Sequence, residues 1–456
     1  MYRKMSRRDF LKLSAMTAGS VILASCAPKA TEVPTAIPGA NKEEEPTSPP
    51  AKSEKVIVKA LLAPGNIVDY LKGNLEAYQK INPDFDVDWN IMEQEQKRTV
   101  ELQIMSGPDA PDFAWINFGS GLTDKLADAG AIEPLNKYYE KYGWWKFLPD
   151  HLHTHEYKGE MYHFSVGSTT TPLMWCNKTL MEEVGLGAPQ TLDDLYKWAD
   201  ACRAKGYEPL AMGDRDGWPG FHMYQCIATR TSPLQDYEKI LRFDKPENEY
   251  YMKDYPGFAE AFQIMRDMET KKVWATGVLD MDDNQAQALL LNKKAVAYET
   301  GTWAIANMRQ GLGEDLDFFM FPQVHPDIPS PMTASYADEY MMSAKSKYKD
   351  QVSDFFNFVL SKDGQKIVAK VGTMPIRVDL IAKDMEGYAD PMTGKVAELF
   401  GSGKHPVTDE IVTFWPAELY ALLRQNGQAA ISGQKTPDQI VKEFDDMAAD
   451  FRAGKA

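Results

Sequence analysis

Apolar positions along residues 55–128 fall into two alternating rhythms. Residues 55–62, Lys55-Val56-Ile57-Val58-Lys59-Ala60-Leu61-Leu62, begin with β-branched side chains and predict a strand. After a turn at Ala63-Pro64-Gly65-Asn66, the residues Val68, Leu71, Leu75 and Tyr78 recur at helical spacing. Phe85, Val87, Trp89 and Ile91 alternate with polar residues, which predicts a second strand over 85–92. Residues 96–105 return to the helical period, with Val100, Ile104 and Met105 facing inward. A third strand, Phe113-Ala114-Trp115-Ile116-Asn117, runs into Phe118-Gly119-Ser120-Gly121 and a helix to Asp128. Three strand–helix units in succession predict an α/β fold with a doubly wound parallel sheet.

The first residues follow neither rhythm. Arg3, Lys4, Arg7, Arg8 and Lys12 precede an apolar run from Leu13 to Ala24 that is too short to span a membrane and fits an export signal. Ser6-Arg7-Arg8-Asp9-Phe10-Leu11-Lys12 resembles a twin-arginine signal, and Leu23-Ala24-Ser25-Cys26 resembles a bacterial lipobox. Residues 1–25 are therefore expected as an export signal and Cys26 as a lipidation site, anchoring the chain to a membrane. Residues 26–54 carry Pro28, Pro34, Pro38, Pro46, Pro49 and Pro50 with Glu43-Glu44-Glu45, a composition that keeps a tether extended.

The remainder is long enough for two lobes with their own cores. The chain is 44% hydrophobic and 25% charged, with a formal charge of −16. Without residues 1–25 it holds 45 basic against 65 acidic residues, a net of −20, which argues against a nucleic-acid partner. Cys176, Cys202 and Cys226 form no C-x-x-C pair, so buried free thiols are expected rather than zinc or redox chemistry.

Motifs along the body share one order. Ser106-Gly107-Pro108-Asp109-Ala110-Pro111-Asp112-Phe113 enters the third strand, and Ala129-Gly130-Ala131-Ile132-Glu133-Pro134-Leu135 follows. Next come Tyr157-Lys158-Gly159-Glu160-Met161-Tyr162, Trp175-Cys176-Asn177-Lys178-Thr179-Leu180 and Pro189-Gln190-Thr191-Leu192-Asp193-Asp194-Leu195. Lys293-Lys294-Ala295-Val296-Ala297, Gly301-Thr302-Trp303, Phe355-Phe356-Asn357-Phe358-Val359-Leu360 and Gly372-Thr373-Met374-Pro375 complete the series. Together they resemble the ABC-transporter extracellular solute-binding proteins of family 1, the carbohydrate-leaning group that includes maltose-binding protein. Asn292, His163 and Ser165 depart from that pattern, standing where Gly, Gly and Pro are usual.

The resemblance implies a two-lobed periplasmic-binding-protein-like fold of type II, each lobe a mainly parallel sheet flanked by helices, hinged by crossover strands. Crossovers are expected near 163–170, 296–300 and 337–342. Lobe one would then be 56–165 plus 297–338, and lobe two 166–296 plus 339–456. It implies capture of a mono- or oligosaccharide by a monomer, without a cofactor, and delivery to ABC permease subunits.

A parallel sheet places its crevice beyond the carboxyl ends of its strands, here the loops at 63–66, 93–96 and 115–120. A sugar's apolar faces call for aromatic platforms and its hydroxyls for fixed polar groups. Trp303, after Gly301-Thr302, and Trp218, in the loop Gly213-Asp214-Arg215-Asp216-Gly217-Trp218-Pro219-Gly220, are the first candidates. Asn117 and Phe118 lie nearer the crevice than Trp115, whose face is ambiguous. Glu299, Asp214, Asn66, Tyr336, Asp338 and Arg377 are the other candidates, although Asp214 and Asp216 equally suit turn residues.

His151-x-His153-x-His155, near His163, has spacing that would align imidazoles on a strand, but Pro149 points to a loop and no metal is expected. Asp280-Met281-Asp282-Asp283-Asn284 begins like a calcium loop, yet Gln285 occupies the Gly position, so Asp283 or Asn284 is expected to cap a helix running to Leu291. No P-loop, nucleophile elbow or H-E-x-x-H occurs, and the chain is not expected to be an enzyme. The alternatives are a non-sugar solute such as a polyamine or polyol, an exported hydrolase using a carboxylate pair, and a structural lipoprotein.

Overall fold

The computed structural model describes residues 55–116, 122–242, 250–335, 338–380, 382–387, 389–401 and 404–454. The expected export signal, the tether, Cys26, Asn117, Phe118 and Tyr336 lie outside them. The repeated strand–helix pattern produces β1 (Val56–Leu62), β2 (Phe85–Ile91) and β3 (Phe113–Trp115), with β1 parallel to both neighbours. Between them run the helices Asn66–Tyr78 and Gln94–Ser106. In the first, Val68, Leu71, Leu75 and Tyr78 are buried, as their spacing requires.

The second helix differs from expectation. Its buried stripe is Lys97, Glu101 and Met105, and Val100 is not part of it. Lys97 is 2% exposed because its ammonium pairs with Glu101 and donates to the Trp115 carbonyl at 2.9 Å. A charge satisfied on both sides can occupy an inward position that hydrophobic patterning would not assign to it.

Two further strands, β4 (His163–Ser165) and β11 (Glu339–Met342), close this sheet in the order β2-β1-β3-β11-β4, with β11 antiparallel to both β3 and β4. Between them in sequence come β5 (Gly167–Thr171), β6 (Leu173–Asn177), β7 (Glu208–Ala211), β8 (Ala295–Thr300), β9 (Leu316–Phe319) and β10 (Met332–Ser335). The second lobe's sheet runs β7-β8-β6-β9, with β7 and β8 parallel and β6 antiparallel to both of its neighbours. That sheet is mixed, where a mainly parallel one was expected. A third sheet, ordered β12-β5-β10-β13 with β12 (Met374–Pro375) and β13 (Val407–Asp409), gathers the strands at which the chain passes between lobes.

The fold class is as expected, but the partition of the chain is not. β8 was read as a crossover; it is instead an inner strand of the second lobe, paired on both sides. Val296, Tyr298, Ile305, Leu316 and Phe319 accordingly enter second-lobe cores, so 297–331 belongs there and not to lobe one. Conversely, Tyr340, Phe355, Phe356, Val368 and Ile376 pack into the first-lobe core with Val58, Phe85 and Phe113. Phe356 stacks on Phe164 at 4.4 Å and Phe355 on Phe85 at 5.4 Å, which fixes 339–376 in the first lobe.

Several motifs are helix starts. Asn177 accepts from Leu180 N at 3.0 Å, and Thr191 with Asp194 forms a capping box. Asp282, one residue before the expected positions, caps the helix Asp283–Leu291 together with Gln285, the residue that spoils a calcium loop. Cys176, Cys202 and Cys226 are buried and free, and burial pushes the Cys226 thiol up to about 11. Among the described residues no helix is long and apolar enough to cross a membrane.

Candidate functional site

Trp218 and Trp303, far apart in sequence, come together in the second lobe with ring centroids 5.9 Å apart. Each is placed by a glycine. Gly217 adopts a φ of 77° before the helix Trp218–Thr231, a conformation that costs L side chains energy. Gly301 ends β8, and a Cβ there would lie 2.0 Å from the Trp303 ring, so only glycine lets that ring fold back on its own turn. Trp144, Trp175, Trp198, Trp274 and Trp415 are fully buried, whereas Trp218 and Trp303 are half-buried and keep part of their faces open.

A third ring joins them. His222, one turn beyond Trp218 on its helix, lies 5.3 Å from Trp218 and 5.7 Å from Trp303. Burial pushes its imidazole down to about 3, with Arg98 and Arg424 adding to the effect, so it is neutral at ordinary pH. Sequence reasoning missed it; its i+4 spacing from Trp218 was the available signal.

Asp214 and Glu299 support this cluster from within. One Asp214 oxygen accepts from Gly220 N at 2.7 Å, and a Cβ on Gly220 would lie 2.4 Å from the other. Asp214 is thus a turn residue, one of the two roles open to it, and burial pushes it up to about 7. Glu299 is 1% exposed, with no partner for either oxygen among the described residues. Burial, with Asp283 and Asp214 nearby, holds it far above the usual carboxyl range and therefore protonated.

Asn66 and Asp338 gather elsewhere, where the chain crosses between lobes. Asn66 Nδ2 donates to Thr373 Oγ1 at 2.6 Å. Asp338 is 5% exposed; burial pushes it up to about 7, opposed by a hydrogen bond from Tyr70. The Tyr70 and Tyr340 hydroxyls meet at 2.5 Å, and Gly167 leaves space for Thr373 and Asp338 that a Cβ would fill at 2.6 and 2.9 Å.

Arg377 does not join either group. Its guanidinium spans both Asp379 oxygens at 2.8 and 2.7 Å, donates to the Leu360 carbonyl and lies 3.6 Å from the Phe147 ring centre. Three of its five N–H donors are engaged inside the first lobe, away from the tryptophan pair. The histidine run is likewise dispersed. It lies on a 3-10 turn, Asp150–His155, where His153 stacks on Trp145 and bonds Glu156, while His155 bonds Glu339 at 2.8 Å. Among the described residues no group of three His, Cys, Asp or Glu could hold a metal ion.

The aromatic cluster lies at the face where the lobes meet. The helix Ala417–Ser432 of the second lobe sends Arg424 to Glu95 at 3.4 Å and Glu418 to Lys125 at 3.4 Å, both in the first lobe. Arg424 also bonds the Asp216 carbonyl beside Trp218, and Tyr420 packs on Phe221 at 5.0 Å. Glu95 lies in the first turn of the helix Gln94–Ser106, at one of the three places that sheet topology assigns to a crevice.

Known proteins share this layout. The family model for bacterial extracellular solute-binding protein matches residues 64–366. The chain is 23% identical over 355 residues to a "Multiple sugar-binding protein" of Streptococcus mutans, covering 75% of this chain and 80% of that one. It is 25% identical over 277 residues to a "Maltotriose-binding protein" of Pyrococcus abyssi, covering 59% and 53%. A solved "Chitin oligosaccharide binding protein" superposes with a TM-score of 0.74 at 19% identity, over 88% of this chain and 99% of that one. With its family model matched over more than half its length and the two-lobed fold shared, this chain belongs to the bacterial extracellular solute-binding proteins.

Proposed function

We propose that this chain is a non-enzymatic receptor that takes a mono- or oligosaccharide between its lobes and delivers it to an ABC permease. The carrying observation is the pair of half-buried tryptophans, with neutral His222, at the face where the lobes meet. Indole faces of this kind suit the apolar side of a sugar ring, and a neutral imidazole adds surface without adding charge. Asn66 and Asp338 would supply polar contacts near the hinge, and the crevice loops with Asn117, Phe118 and Tyr336 would complete the wall. The relatives' names, which mention multiple sugars and maltotriose, support the same ligand class.

In this reading lobe one is about 55–166 and 338–380, and lobe two about 172–335 and 382–454. Residues 1–25 direct export, and an acylated Cys26 holds the receptor as a monomer on a proline-rich tether.

A thermal-shift screen of residues 53–456 against mono- and oligosaccharides, polyols and polyamines tests the proposal. A ligand at about a hundred times its dissociation constant adds about 2.7 kcal/mol of stability. Stabilisation by a saccharide is the expected result. Stabilisation by polyamines alone would move the ligand to a cation held by aromatic faces and carboxylates, and turnover of a saccharide would make the chain a hydrolase.

A further inference from the structure

Among the described residues, Arg424 links two parts of the molecule, the first lobe's Glu95 and the turn that carries Trp218. Its guanidinium reaches the Glu95 carboxylate at 3.4 Å and bonds the Asp216 carbonyl, two residues before Trp218. The same turn is pinned on its other side by Gln428, one helical turn along, which donates to the Asp214 carbonyl at 2.6 Å and to the Arg215 carbonyl at 3.1 Å. Gly217 completes the fit, because a Cβ there would lie 3.1 Å from the Arg424 Cβ. Glu95 is shared: its other oxygen lies 3.9 Å from Arg98 of the same helix, and Arg98 bonds the Tyr420 hydroxyl across the lobes.

We propose that Arg424 is a positioning residue that couples approach of the two lobes to the placement of Trp218. When the start of the helix Gln94–Ser106 comes up to the second lobe, Glu95 takes one side of the guanidinium. The arm that remains holds the Asp216 carbonyl and sets the turn before the helix Trp218–Thr231. When the lobes part, the guanidinium loses its carboxylate and the turn loses a fixed anchor. The link is electrostatic and half-exposed, with Arg424 20% and Glu95 43% exposed, so dissolved salt weakens it. A second interlobe ion pair, Lys125 with Glu418, makes no bond to the turn among the described residues, so its removal parts the lobes without touching the turn directly. The proposal rests on the tryptophan pair being the binding surface, but its test needs no ligand, so it stands or falls apart from the saccharide reading.

The test uses the full-length protein with one spin label on each lobe, at Asp69 and Asp193, to read the interlobe distance. Fluorotryptophan NMR follows the Trp218 resonance, assigned by its loss in Trp218→Phe. Glu95→Gln is expected to lower the population with the lobes together about two- to fivefold and to displace the Trp218 resonance. Raising NaCl from 20 mM to 0.5 M should do both in the native protein and add little in Glu95→Gln. Lys125→Ala should part the lobes by a similar factor and displace that resonance in proportion. The inference is overturned if Glu95→Gln leaves the Trp218 resonance in place, or if Lys125→Ala parts the lobes without displacing it.

Discussion

The second lobe presents half-buried rings at the interlobe face, while the first lobe and its crossings gather polar groups that bond one another. Trp218 and Trp303 are half-buried, with glycines at 217 and 301 setting their turns, and His222 packs against them. Asn66, Thr373, Tyr70, Tyr340 and Asp338 direct their hydrogen bonds inward. Groups that bond each other resist displacement, whereas open ring faces are available to a ligand. Under the proposed function, this contrast would put most of the affinity in the second lobe and the geometry of the hinge in the first.

The largest expected effect tests the rings. Trp303→Ala and Trp218→Ala should each weaken saccharide binding about a hundredfold, while melting temperatures change little. Asn66→Ala should cost about tenfold or less. Calorimetric titration compares them, and an equal loss at Asn66 would erase the contrast.

Gly301→Ala comes next. The added methyl meets the Trp303 ring at 2.0 Å, so the ring must leave its place. We expect most of the affinity loss of Trp303→Ala, plus a stability cost of about 1–3 kcal/mol. Denaturant unfolding together with titration reads both, and undiminished affinity would mean the ring's placement is immaterial.

A smaller effect is read by pH within the first lobe. Asp338, with a folded pKa of about 7, is raised above its unfolded value, so its stabilising contribution is full below about pH 4 and is lost as pH rises to about 7. His163 in the first lobe is lowered by burial to about 4, so its contribution is full above about pH 6.5 and is lost as pH falls toward 4. Asp338→Asn should therefore raise the melting temperature more at pH 8 than at pH 5. A gain independent of pH would show that Asp338 ionises freely in the folded protein.

Arg377→Lys should have the smallest effect on binding, within about twofold, with a stability loss of about 1 kcal/mol from the broken fork to Asp379. A large loss of affinity would return Arg377 to the site.

The legible parts of the sequence were those written in local pattern. β1, β2 and β3 follow from apolar rhythm, and Asn177 and Thr191 cap helices within their own motifs. Gly301-Thr302-Trp303 singled out Trp303 as a candidate, and its approach to Trp218 is what the structure adds. What escaped depends on partners distant in sequence. Phe355 and Phe356 read as a generic apolar helix, and only their stacking on Phe85 and Phe164 assigns them to the first lobe. β8 read as a crossover because nothing in its own residues reveals that β7 and β6 flank it. Lys97 and Glu101 were inward yet invisible to hydrophobic patterning, since each neutralises the other. His222 escaped the sequence reading because its partner Trp303 is distant in the chain.

Calorimetric titration of residues 53–456 and its Trp303→Ala variant with maltotriose, chitotriose and raffinose tests the central claim most directly. The account predicts one-to-one binding of at least one saccharide by the native protein, lost in a variant that melts at the same temperature. Binding of none of them, or equal binding by the variant, would contradict it.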